Sequence, residues 1–156
     1  MRPAWVYPWR ALGEAPFPDG TSIVRPAVPF LVAGHEQVHL GVVDSGSPLT
    51  VTSRDVAVRA GIDITSTAPL MEVPLGLGAR FDRLPVFMFE LELQPPSGTD
   101  GFRWTLPMAV QSRWRFPFEV LFGQRGWFDS FTTTFGPGHL AVEPLASFGE
   151  RFSTGG

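Results

Sequence analysis

"VHLGVVDSGSPLTV", Val38 to Val51, is the stretch on which the reading of this chain turns. A run of β-formers ends directly on Asp44, the chain then brakes on Ser45-Gly46-Ser47, and more β-formers follow. Taken alone, Asp-Ser-Gly is a turn, because each of the three favours local hydrogen bonding or positive φ. Here the preceding "HLGVV" pulls Asp44 toward the interior, and a buried carboxylate is costly unless donors or a function compensate. Ser45, Ser47, Thr50 and the Gly46 amide are the donors within reach along the chain.

Composition limits what that carboxylate can be part of. At 156 residues the chain is long enough for one domain with a single core. Sixteen prolines and seventeen glycines argue against long helices and for many short strands and turns. The net charge of −3, without a block of like charges, leaves no electrostatic footprint for nucleic acid or an anionic membrane. The absence of cysteine removes disulfides, thiol nucleophiles and cysteine-ligated zinc, and the absence of lysine removes lysine chemistry. No apolar run nears the ~18 residues of a membrane span, and "MRPAWVYPWRALGEAP" lacks the apolar centre of a signal peptide. A soluble cytoplasmic protein without cofactor is the expectation.

Outward from Asp44, the pattern is one of strands. Ala27–Val32 and Val38–Val43 read as a strand pair around "AGHEQ", and "PLTVTS" as a third strand. "SRDVAVRAG" reads as a short helix with Ser53 as N-cap, Asp55 in its first turn, Arg59 in its last and Gly61 as its left-handed exit. "MEVPLGLGARFDRLPVFMFELEL" has the form of a long hairpin with a glycine-rich tip. The first half of "LPVFMFELEL" is apolar on both faces, as in a doubly covered strand. "FRWTLPMAV" and "EVLF" are further strands, "GQRGWFDSF" a second short helix, and "TTTF" with "LAVEPL" a last hairpin. The expected organisation is an irregular arm over 1–24, an all-β, closed-barrel domain over 25–145 with one or two short helices, and a loosely ordered tail over 146–156.

Three elements in order carry a resemblance. "VVDSGSPLTV" resembles the hydrophobic-hydrophobic-Asp-Thr/Ser-Gly-Ala/Ser signature of aspartic proteases. "EVLFGQRGWFDSF" is similar to their second hallmark, a hydrophobic-hydrophobic-Gly stretch near the C-terminus, and "PLGLGARF" sits where they keep a glycine-rich flap. With one Asp-Ser-Gly, the chain resembles the single-lobed, retropepsin-like class of bacterial type over about Arg25 to Pro144. The resemblance implies an acid-protease barrel and a homodimer in which each chain donates one aspartate to cleave a polypeptide substrate. It implies Asp44 as catalytic residue, Ser45 locking the two loops across the dyad and Gly46 permitting close approach of substrate. Ser47 would tune the aspartate by hydrogen bonding. Leu75 and Leu77 would cover substrate, and Gly76 and Gly78 would form the flap tip. Val120, Leu121, Phe122 and Gly123 would pack beneath the active-site loop. Retroviral members pair acidic residues after the signature with an arginine after the later glycine; those places here hold Pro48 and Gln124, with Arg125 one residue on. That departure keeps a second reading open, a noncatalytic module using the same barrel for oligomerisation or peptide binding.

Other candidates read more plainly. His35 and His39, four apart in a strand-and-turn segment without a third ligand, are surface or hairpin histidines rather than a metal pair. Glu90 and Glu92 mark the solvated face of a strand. Trp114, Phe116, Phe118, Trp127, Phe128 and Phe131 are expected as core and dimer contact, with one or two of them available for a hydrophobic subsite.

Overall fold

Alternation of buried and exposed side chains along strands organises the molecule. A computed structural model describes residues 4–77, 80–96 and 100–146, the side chains of residues 77, 80 and 81 excepted. Among the described residues there are twelve strands and one complete helix, and Leu145 and Ala146 are helical at the edge of the described residues. In chain order they are β1 (Trp5–Pro8), β2 (Arg10–Ala11), β3 (Val24–Arg25), β4 (Ala27–Val32), β5 (His39–Val43), β6 (Val51–Ser53) and α1 (Arg54–Arg59). Then follow β7 (Met71–Leu77), β8 (Arg80–Leu93), β9 (Phe102–Gln111), β10 (Val120–Phe122), β11 (Phe131–Gly136) and β12 (His139–Pro144).

Six strands form a barrel in the order β4-β5-β10-β6-β9-β8, closed where Phe30–Val32 of β4 pair with Leu91–Leu93 of β8. Closure removes the open edges that these strands would otherwise present. The long strand β8 points Phe87, Phe89, Leu91 and Leu93 inward, while Met88 and Glu90 face outward. Opposite it on β9, Trp104, Leu106, Met108 and Val110 face in. Arg103, on the outer face, lies 3.9 Å from Glu90 and 3.8 Å from Glu92, so these carboxylates occupy the solvated face as expected. The doubly apolar start of β8 also has its reason: Leu84 and Val86 belong to a satellite cluster with Val51 and Ala109, on the face away from Phe87. β7 extends this sheet beyond β8, outside the closed barrel.

Helix α1 forms as its signals require. Ser53 Oγ accepts the Val56 amide, Asp55 and Arg59 occupy the first and last turns, and Gly61 leaves the helix at φ +75°. The second helix, expected at "GQRGWFDSF", does not form. Gly126 at φ +103° turns the chain away from a helical path, and only one turn follows, closed by Phe131 N–H donating to Trp127 O. Trp127 is instead fully buried, its indole N–H donating to Thr133 Oγ1 and its ring edge-on to Trp104 at 6.0 Å.

The segment 1–24, expected to be irregular, contributes structure of its own. β1 pairs with β12 in a three-stranded sheet β1-β12-β11, and β2 pairs with β3. Tyr7 is buried in the main core and its hydroxyl donates to Gln94 O at 2.7 Å; burial pushes that phenol's pKa up. His39, read as a surface or hairpin residue, is also buried, 5.4 Å from the Phe30 ring. The tail beyond residue 146 lies outside the described residues. No helix among those residues is long and apolar enough to cross a membrane.

Candidate active site

Strand order creates the site. β10 lies between β5 and β6, parallel to the first and antiparallel to the second. β5 and β10 end side by side, Phe122 opposite Val43, so the turns that follow them enter the same space. One turn is Asp44-Ser45-Gly46-Ser47; the other is Gly123-Gln124-Arg125-Gly126.

Those turns are tied together through the backbone. Asp44 N–H donates to Phe122 O at 2.8 Å, Gln124 N–H to Ser47 O at 2.8 Å, and Arg125 N–H to Pro48 O at 3.2 Å. Buried Thr50 joins both ends, its Oγ1 donating to Arg125 O at 2.6 Å and accepting the Gly123 amide at 3.1 Å. The Gln124 side-chain amide donates to Ser45 O at 3.1 Å. Contact is close enough to demand glycine at position 123, where a Cβ would lie 2.1 Å from Leu49 O and 2.6 Å from Ser47 O.

This framework leaves the Asp44 carboxylate half-buried, its Oδ1 accepting the Gly46 amide at 2.9 Å. Of the donors expected around it, the Gly46 amide is the one that bonds the carboxylate. Ser47 is buried, but its hydroxyl donates to Leu49 O at 2.7 Å, which commits its single proton. The expected Ser47 bond to the carboxylate is therefore corrected. Ser47 braces the turn from within, whereas Ser45 stays exposed at its crest.

Asp44 stands where two clefts meet. The first, about 270 Å³, runs beneath the β7–β8 hairpin between Asp44, Val51, Leu75, Gly76, Trp114 and Phe116. The second, about 490 Å³, runs from Asp44 past Phe116, Phe118 and Leu121 to Glu14 and Arg25. Both are mainly apolar, of the size and character of ligand sites with a few convergent polar groups. The second ends in a bidentate ion pair: Arg25 Nε donates to Glu14 Oε1 at 2.8 Å and its terminal nitrogen to Oε2 at 2.7 Å. The hydrogen bond from Arg25 holds the Glu14 carboxyl below its usual pKa range.

Asp44, Gly46, Ser47, Leu75 and Gly76 thus line one cleft together, and Ser45 lies at the exposed crest of the turn, outside the lining of both clefts. Leu77 pairs with Arg80 through the backbone, and Gly78 lies outside the described residues. The expected aromatic cluster divides in two. Trp127 and Phe131 are core, whereas Trp114, Phe116 and Phe118 form a wall of the clefts with ring centroids 5.1 to 5.8 Å apart. Leu121, expected beneath the active-site loop, lines both clefts, because alternation along β10 buries Val120 and Phe122 instead. Glu14 and Arg25 carried no signal in the sequence, being eleven apart in a stretch without period. No group of three or more histidine, aspartate or glutamate side chains able to hold a metal ion occurs among the described residues.

No protein-family model and no curated protein matches the chain. Solved structures do. A retropepsin-like aspartic protease from Rickettsia conorii is 11% identical, with a TM-score of 0.50, over 91% of this chain and 94% of that one. The retroviral protease-like domain of Ddi1 from Leishmania major is 13% identical, with a TM-score of 0.47, over 79% and 97%. Likeness to the first of these shows the fold: the chain has a retropepsin-like barrel.

Proposed function

We propose that this protein is an aspartic endopeptidase that acts as a homodimer, each copy supplying one Asp44. The observation that supports it best is the position of a half-buried Asp44, held by the Gly46 amide at the junction of two apolar clefts. A single carboxylate is a weak catalyst. Two of them across a two-fold axis repel as anions and so share one proton, which separates an acid from a base.

In that dyad the ionised Asp44 takes a proton from a water held between the two carboxylates. The water oxygen attacks the peptide carbonyl carbon while the protonated carboxyl gives its proton to the carbonyl oxygen. Collapse of the tetrahedral intermediate breaks the C–N bond: the carboxyl that took the water's proton gives it to the leaving nitrogen, and the other carboxylate takes a hydroxyl proton back, which restores the shared proton. Substrate lies extended between the β7–β8 hairpin and the floor, adding a strand. Leu75 covers it, Gly76 gives the hairpin its freedom, Ser45 links the two turns across the axis and Ser47 keeps each turn in shape.

The test is cleavage of a diverse peptide library from about pH 3.5 to 7, a range set around dyad titration. Wild type and Asp44→Asn are compared by mass spectrometry, with sedimentation to report assembly. Cleavage should fall by about a thousandfold or more in a variant that still folds and dimerises. A folded, dimeric wild type that makes no Asp44-dependent cut would leave the noncatalytic binding module as the function of this barrel.

A further inference from the structure

The second cleft has an end that the catalytic proposal does not use. Its wall is aromatic and aliphatic, through Phe116, Phe118 and Leu121, yet it terminates in the guanidinium of Arg25. An unpaired arginine at the end of an apolar cleft is a carboxylate receptor. Here Glu14 already occupies that fork with two parallel hydrogen bonds of 2.8 and 2.7 Å. Glu14 comes from the connection between β2 and β3, which is anchored over the cleft by Leu12 packing on Ala27, Val42 and Phe118. The same β2–β3 pairing sets Arg10 directly opposite Arg25, so without Glu14 two positive charges would share one register position.

We infer that Glu14 is a specificity-determining residue: by neutralising Arg25 it makes the subsite beyond Asp44 select an apolar substrate side chain and reject an acidic one. This rests on the endopeptidase reading and adds to it the class of residue selected at one subsite. The pair is partly exposed, its side chains 44% and 22% accessible, so it contributes little to folding and its removal leaves the barrel standing.

The experiment measures kcat/KM for a peptide series varied at one position among Leu, Phe, Asp and Glu, using the full-length dimer. Wild type should favour Leu and Phe. In Glu14→Gln the ratio for acidic over apolar residues should rise on the order of tenfold, through KM rather than kcat, and the gain should fade with added salt. Arg25→Met breaks the same pair but removes the guanidinium that lines the cleft, Arg10 not being among its lining residues, so it should show no gain, and Glu14→Gln/Arg25→Gln should return to the wild-type preference. Asp44-dependent cleavage with an unchanged profile in Glu14→Gln would overturn this inference alone, as would an acidic gain that survives in Arg25→Met. Absence of Asp44-dependent cleavage in the wild type would overturn the endopeptidase reading, and this inference with it.

Discussion

The floor of the site and the hairpin above it are built on opposite terms. The floor is two turns bonded through their main chains, closed around a glycine that has no room for a methyl group and a threonine that serves both turns at once. In the β7–β8 hairpin, β7 and the first part of β8 extend beyond the closed barrel, and the exposed ion pair Arg83–Glu72, at 3.5 Å, lies along it. On the floor the geometry is over-determined, which suits a carboxylate that must stay in place. Along the hairpin the hold is of another kind, the ladder itself and the packing of Val73 and Leu75 on the cluster of Val51, Leu84, Val86 and Ala109, and the cover over substrate proposed above would have to move against these.

Substitutions can break that contrast. Gly123→Ala should do the most damage, because the new methyl meets main-chain oxygens that cannot rotate away; a loss of about 3 kcal/mol or more is expected in urea unfolding. Thr50→Val keeps the shape but strands the Gly123 amide and the Arg125 carbonyl, costing about 2–3 kcal/mol by the same measurement.

His39, which opens the strand ending on Asp44, sharpens the picture through pH. Burial first, and Arg59 nearby, press its pKa below 6.5, against Glu119 and Asp55. Below pH 6.5 the unfolded chain therefore binds a proton that the folded one does not, so stability is full above 6.5 and declines as pH falls toward the depressed value. Unfolding at pH 7.5 and 5.5 should show that decline, and His39→Leu should flatten its share of it. At the hairpin, Arg83→Ala should change stability by less than about 0.5 kcal/mol, since both partners are exposed. A loss there as large as that of Thr50→Val would end the distinction between the two regions.

Much of this arrangement was legible before any coordinates. Glu90 and Glu92 announced the solvated face of a strand whose first half is apolar on both faces, "SRDVAVRAG" announced its own caps, and "VVDSGS" placed a carboxylate at a strand end. Each of these signals is local, repeating every two residues or confined to one helical turn. The second helix misled because "GQRGWFDSF" offers helical spacing of aromatics, whereas Gly126 takes a positive φ and Trp127 is drawn into the core. The 1–24 segment misled in the other direction, since Trp5–Pro8 becomes a strand only because β12 is there to pair with it.

By itself the sequence determined the main barrel strands, helix α1 and the placing of Asp44 at a strand end, because dihedral preference and hydrophobic period are properties of neighbouring residues. Tertiary structure alone decided that β10 enters between β5 and β6, that Thr50 ties down Arg125 from 75 residues away, and that Glu14 meets Arg25 at the end of a cleft. Such pairings depend on which surfaces the closed barrel brings together, and a carboxylate or hydroxyl has no period from which its partner can be read.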